Sequence, residues 1–380
     1  IQSENTNWRR RKMLWNKIYK IKDSVDVYLV DDEFILFYFM NTRTRKRFRI
    51  NENVINLIEE IDGKRTAEEL YKDFIIKNDI SKYEFSLFID KMIEANVLIE
   101  RLDKHVLSNN DINRYDRQIN YFSEFLGSEL EAEKAQLKLK ESSIGIIGCG
   151  AVGGDIAIQL AMAGVESFVL MDYDTVEESD CTRHMYYDRS DIGRKKVEVL
   201  SDKLKAINSQ IKTYISYSVF TPDTNMDTFL EKSTFVVCTA DEPYLGYTAN
   251  LTSQLCVPRM ISHYIAGGFD AHLASTGELV IPYVTPCAAC YATYFEHKLK
   301  DWKPKKHPVV KRATEFGGLS SMSLFSASFA CIEIVKYICG LVDMKENYKK
   351  RAEFLFDGME LVYLEPERNP NCSVCGGKKA

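Results

Sequence analysis

The residues best suited to chemistry gather between Gly148 and Lys196. Gly148-Cys-Gly150-Ala-Val-Gly153 follows a buried-strand pattern that starts at Ser143 and precedes a helical run from Asp155 to Ala163. In such a turn the first glycine permits the tight bend and the second lets a phosphate approach the backbone. The third lets the helix pack on the strand, which leaves phosphate at the helix N-terminus. The next apolar run ends in Met171-Asp172-Tyr173-Asp174, where an acid accepts hydrogen bonds from ribose hydroxyls. Ser179-Asp180-Cys-Thr-Arg183-His and Gly193-Arg-Lys-Lys196-Val-Glu follow. Arg183 and Lys196 put more positive charge at the phosphate end than a nicotinamide dinucleotide needs, which points to a nucleoside triphosphate.

A second constellation is made of sulfur. Of ten cysteines, four form two pairs, Cys287-Ala-Ala-Cys290 and Cys372-Ser-Val-Cys375. Their spacing suits a closed four-cysteine zinc site, with Pro286 and Gly376 supplying turns, and such a site staples chain segments rather than catalysing. Cys149, Cys181, Cys238, Cys256, Cys331 and Cys339 are scattered singly. Without a secretory signal they read as reduced thiols, Cys149 and Cys331 as small packed side chains.

These residues need elements to hold them. Strand patterns at Ser167 to Met171, Ile211 to Ser218 and Thr234 to Cys238 alternate with a helical pattern from Gly193 to Ile207. Alternation of this kind predicts an α/β fold, a Rossmann-like doubly wound and largely parallel sheet. Before it, a polar leader is followed by strands at Val25 to Val30, Phe34 to Phe39 and Arg45 to Ile50. Three helices come next: one capped by Asn51 and ended by Gly63, one opened by a Thr66/Glu69 capping box, one opened by Ser81. This predicts a small α+β module, joined by a polar linker from Lys104 to Asn113, with a charged helix from Leu126 to Leu139 beyond.

Composition narrows the class. The 380 residues carry 50 basic and 55 acidic side chains, a net charge of -5 that gives no bulk attraction to nucleic acid or anionic lipid. The cluster Arg9-Arg10-Arg11-Lys12, flanked by Trp8 and Trp15, reads as a solvated terminal helix. Phe325 to Val342 is apolar but carries Glu333 and Lys336, so a buried helix is expected rather than a membrane span. No signal-peptide pattern is seen, and a cytosolic location is expected. Lys303-Pro-Lys-Lys-His307-Pro-Val-Val-Lys311 either screens an acidic peptide or forms a solvated lid.

Two resemblances extend this reading. Residues 25–103, chiefly Phe48 to Leu70 and Phe88 to Leu98, resemble the PqqD-like winged-helix domains that bind leader segments of ribosomally made precursor peptides. In that family the peptide adds as a strand beside the third strand. Residues 104–380 resemble the ThiF/MoeB superfamily of ATP-dependent adenylating enzymes. The matching motifs are Arg114-Tyr-Asp-Arg117-Gln, the glycine turn, Asp172-Tyr-Asp174, Arg183, Gly193-x-x-Lys196, Asp241 and both cysteine pairs. The resemblance implies that Asp172 holds ribose, Arg183 and Lys196 hold the triphosphate, and Asp241 binds Mg²⁺. It also implies a homodimer, with Arg117 reaching the partner's site. Asp180 departs from the superfamily, which often has Asn there; the extra carboxylate either binds metal or weakens ATP binding. Residues 291–330 contain no cysteine, which disfavours a thioester relay. The combination is similar to the peptide-modifying branch of the superfamily, of microcin C7 and pantocin type. Its expected function is activation of a precursor-peptide carboxyl, by adenylation or phosphorylation, leading to amide formation or cyclisation. The alternatives are a sulfur-carrier adenylyltransferase and a non-catalytic leader-docking partner of a cyclodehydratase.

Overall fold

The computed structural model describes residues 14–31, 33–102, 104–270, 273–303 and 318–377. Trp8, the basic cluster at 9–12 and the 304–311 part of the basic loop, with His307, lie outside them. The chain divides into two compact units, 1–135 and 136–380.

In the first unit, strand β1 (Tyr19–Ile21) is followed by β2 (Val25–Asp31), β3 (Phe34–Phe39) and β4 (Thr44–Arg49). Helices α1 (Glu52–Glu60), α2 (Ala67–Phe74) and α3 (Lys82–Glu94) come next, then β5 (Leu98–Glu100). The predicted helix starts are present: Asn51 accepts from the Val54 amide, Thr66 forms its capping box with Glu69, and Ser81, expected to open α3, also forms a box with Glu84. β2, β3 and β4 form an antiparallel sheet whose Ile35, Phe37 and Phe39 face a core shared with Leu57, Leu70, Phe85 and Met92. Gly63, predicted to end α1, lies just past its cap at Ile61. β1 pairs antiparallel with β5, an element the leader's polarity concealed. Trp15 beside it stacks on Phe85 at 5.7 Å. Helix α4 (Asn109–Leu126) begins inside the segment predicted as linker, because Ser108 caps it. Gly127, at φ 65°, stops it, and α5 (Glu129–Glu141) replaces the single helix predicted from Leu126.

The second unit opens with β6 (Ser143–Ile147), α6 (Ala151–Ala163) and β7 (Ser167–Met171). α7 (Lys196–Ile207), β8 (Lys212–Ser216), α8 (Asp227–Glu231), β9 (Phe235–Cys238), α9 (Leu245–Cys256) and β10 (His263–Ile265) continue the alternation. Next come β11 (Phe269–Asp270), β12 (Leu273–Ser275), β13 (Glu278–Val280), α10 (Ala288–Lys298) and α11 (Ser320–Cys339). α12 (Met344–Asn347), β14 (Ala352–Leu355) and β15 (Glu360–Tyr363) complete it. The main sheet has the order β13-β10-β9-β6-β7-β8 and is parallel except for β13, as the alternation predicts. A second, antiparallel sheet, β11-β12-β14-β15, was not foreseen. Its strands are two to four residues long, too short for a periodic pattern. α11 is long and apolar enough to cross a membrane, yet half of its apolar window is buried inside the protein. Cys331 lies on its inner side, with Sγ 3.6 Å from the Ile156 carbonyl on α6.

Candidate functional site

Between β6 and β9 the strand order reverses direction, and there a parallel sheet opens a crevice at its carboxyl edge. A cavity of about 150 Å³ occupies that crevice. It is lined by Gly148, Gly150, Asp172, Asp174, Lys196 and Asp241, together with Thr239 and Glu242.

The glycine turn is built as its spacing suggests. Gly148 has φ +92°, and a Cβ there would lie 2.7 Å from Thr239 Oγ1. A Cβ on Gly153 would fall 2.0 Å from the Gly148 carbonyl oxygen, so α6 touches the turn with no room to spare. Gly150 differs: the nearest atom to its Cβ position, His184 Nε2, is 3.9 Å away, an ordinary van der Waals contact, so a side chain there meets no clash. Gly150 is also the N-cap of α6 and gives no side-chain cap, which leaves the first amides of the helix for an anion. The turn is held from behind by the Tyr186 hydroxyl, which donates to the Cys149 carbonyl at 2.9 Å, and by Tyr187, which does so at 3.2 Å.

Asp172 is buried and accepts from the amides of Cys149 at 2.6 Å and Asp174 at 2.8 Å. Burial raises its pKa, while those two amides and Lys196 act against the rise. Lys196, at the first turn of α7, places Nζ 3.3 Å from Asp174 and 3.5 Å from Asp180. Burial works against its charge, but Asp180, Asp174 and Asp172 outweigh it and the pKa rises, so the ammonium is firmly charged. Asp180 accepts from the Glu177 amide at 3.0 Å and lies 3.4 Å from the Arg183 guanidinium. Asp241 follows β9; burial and the Glu242 charge raise its pKa, with Lys196 opposing them.

Gly153, Asp180 and Arg183 support this cavity without lining it; Arg117 lies on α4 of the first unit, in a cleft with Lys22 and Glu124. His184, Tyr186, Tyr187, Thr239 and Glu242 belong to the site and were not singled out from sequence. The three aromatic residues fall within four positions after Arg183, which is the signal they carry in sequence.

The arrangement fits a nucleoside triphosphate: an unhindered Gly150, a helix N-terminus with no side-chain cap, the buried Asp172 carboxylate and a charged lysine. Carboxylates outnumber Lys196 and Arg183 here, and an anionic nucleotide beside them calls for an accompanying cation.

The four paired cysteines converge. Sγ of Cys287 is 3.6 Å from Cys372 and 4.0 Å from Cys290, and Cys290 is 3.5 Å from Cys375. Zn–S bonds of about 2.3 Å set tetrahedral sulfurs about 3.8 Å apart, so the donor set fits zinc. Hydrogen bonds from Cys287 and Cys375 pull Cys290 toward the thiolate, the ligating form. Among the described residues, this is the only group of three or more potential ligands that converges on one point.

Known proteins place this geometry. The chain is 27% identical over 321 residues to the adenylyltransferase and sulfurtransferase MOCS3 of Aedes aegypti, covering 83% of this chain and 66% of the relative. The MOCS3 of Culex quinquefasciatus is 30% identical over 272 residues, covering 71% and 56%. The chain thus spans about two thirds or less of these curated relatives. Escherichia coli MccB, solved with AMPCPP and MccA, superposes with a TM-score of 0.69 at 22% identity, over 94% of this chain and 99% of MccB. PaaA superposes with a TM-score of 0.68 at 21% identity, over 92% of this chain and 100% of PaaA. At these identities the likeness establishes the fold. The profile of the ThiF family matches residues 115–374, well over half of the chain, and runs through the glycine turn, Asp172, Lys196 and Asp241; the chain belongs to the ThiF family.

Proposed function

We propose that this protein activates a carboxyl group of a ribosomally made peptide with MgATP, transferring AMP and releasing pyrophosphate. The observation that carries the reading is the crevice that joins the glycine turn, Asp172, Lys196 and Asp241 in one cavity. In this reading Asp172 receives the ribose hydroxyls, the α6 N-terminus with Lys196 and Arg183 receives the phosphates, and Asp241 shares Mg²⁺. The metal, when bound, neutralises phosphate charge as pyrophosphate leaves. Attack at the α-phosphorus then requires alignment and charge neutralisation but no protein nucleophile. Arg117 completes the site from a second copy.

Two facts favour a peptide over a sulfur-carrier protein. MccB, a microcin C7 biosynthetic enzyme solved in complex with N-formylated MccA, matches 94% of this chain, first unit included. Cys331, the nearest thiol after the cysteine-free stretch, is buried in α11, and burial pushes its pKa up. The MOCS3 relatives favour the second reading, sulfur-carrier adenylation.

Peptide-dependent ATP–pyrophosphate exchange by the purified full chain tests the proposal. Asp241→Ala is expected to lower exchange by about 100-fold or more with the melting temperature unchanged. Exchange supported by a small sulfur-carrier protein and by no peptide would transfer the assignment to the second reading. Unchanged peptide maturation by Asp241→Ala would leave only a docking role.

A further inference from the structure

Helix α4, which carries Arg117, is divided just before that residue. Tyr115 has φ −112° and ψ 16°, outside the helical range, so residues 116–126 form a segment of their own that Gly127 ends at φ 65°. Asp116 opens the segment, its Oδ1 accepting from the Arg117 amide at 2.6 Å. Arg117 is exposed, and among the described residues its guanidinium makes no hydrogen bond or ion pair. It borders a cleft of about 330 Å³, so no contact at the side chain itself sets its direction. That direction must come from the helix segment beneath it.

The segment has an anchor at its other end. Residues four and seven apart return to the same side of a helix, so Arg117, Tyr121 and Glu124 share one face, and all three border the cleft. Glu124 takes three donors there. Its Oε1 accepts from Ser24 Oγ at 2.5 Å, and its Oε2 from Asn41 Nδ2 at 2.9 Å and Lys22 Nζ at 3.3 Å. Lys22 and Ser24 lie in the turn between β1 and β2, and Asn41 lies in the turn between β3 and β4. The Met40 amide donates to the Ser24 carbonyl at 2.9 Å, so both turns sit together at one end of the sheet. The apolar core built on that sheet contains no α4 side chain among the described residues, which leaves the orientation of the segment to polar contacts. The Lys22 and Glu124 side chains are only 2% and 14% exposed. A buried ammonium holds its carboxylate partner in place, and a carboxylate with both oxygens bonded to two separate turns fits one orientation of its helix.

We infer that Glu124 is a positioning residue for Arg117: by tying the sheet end to the 116–126 segment, it fixes the direction in which the arginine enters a second copy's crevice. This rests on the proposed reaction, in which Arg117 completes the site from a second copy, and adds the residue that aims it.

The test is pyrophosphate exchange by the full chain over a range of ATP concentrations. Ser24→Ala/Asn41→Ala removes two donors and keeps the Lys22–Glu124 pair. It is expected to lower kcat about tenfold at an unchanged KM for ATP, since a group that acts as pyrophosphate leaves shows in kcat. Arg117→Ala is expected to lower kcat by about 100-fold. The two sets of substitutions are then combined. Without Arg117 the Ser24 and Asn41 substitutions are expected to cost nothing further, because they act only through it. The same tenfold loss in the absence of Arg117 would make Glu124 a structural hub and overturn the inference. An unchanged kcat in Ser24→Ala/Asn41→Ala, or in Arg117→Ala, would overturn it as well. If the double variant melts well below wild type, Asn41→Ala alone, at an exposed site, gives the same comparison. Failure of the reaction reads differently. A wild-type chain with no peptide-dependent exchange loses the proposed function and this role together; one that exchanges, with losses that simply add, keeps the function and loses only the role of Glu124.

Discussion

Asp180 answers to two cations at once, with one carboxylate oxygen toward Arg183 and the other toward Lys196. In the proposed reading a carboxylate in that position competes with phosphate for both groups, so ATP would enter by displacing it or with a cation that offsets it. Asp180→Asn keeps the shape and the Glu177 contact but removes the charge. It is expected to lower the KM for ATP by about tenfold at limiting Mg²⁺, measured by exchange kinetics over a magnesium series; a raised KM would make Asp180 a metal ligand instead. Asp155 carries a different residue-scale consequence. It is buried on α6, one oxygen has no hydrogen-bond partner, and burial pushes its pKa up to about 7 although the Met185 amide opposes it. The folded state therefore holds this proton more tightly than the unfolded chain does. Its contribution is fully present below about pH 4 and is lost as pH rises to about 7. Denaturation of Asp155→Asn is expected to match wild type near pH 4 and to show higher stability at pH 7 and above.

Elements translate such residues into geometry, and α6 shows how two glycines of one motif differ. Gly150→Ala brings its methyl group no closer than 3.9 Å to any neighbour, so the fold tolerates it, and in the proposed reading that methyl group takes space meant for a phosphate. Gly153→Ala drives a methyl into the Gly148 carbonyl and is expected to cost about 1–3 kcal/mol of stability. Thermal melts with and without ATP separate the two: Gly150→Ala should melt as wild type and lose the ATP-induced shift, while Gly153→Ala should melt lower. The starts of α1, α2 and α3 were legible in sequence because Asn51, Thr66 with Glu69, and Ser81 act within three residues of themselves. β1 was not, because a three-residue strand exists only through its partner β5, far along the chain.

Across the whole molecule, the cysteine cluster joins residues 287–290 to residues 372–375, tying the tail to the main-sheet core. Metal analysis is expected to find one zinc per chain, and Cys372→Ser is expected to abolish it and lower the melting temperature by about 5 °C or more. Retention of full stability without metal would reduce the cluster to packed thiols. How the site was read follows from the range of each interaction. The glycine turn, Asp172, Lys196 and the cysteine pairs announced themselves because their chemistry depends on local spacing along the chain. Asp180's contact with Lys196, the tyrosines behind the turn and the place of Glu242 in one cavity with Asp172 did not, since each depends on segments that only the closed sheet brings together. By itself, then, the sequence determined an alternating α/β sheet with a phosphate turn and a sulfur cluster. Only the tertiary structure decided which carboxylates face Lys196 and which hydroxyls hold the glycine turn, because those pairings are set by packing between residues remote along the chain.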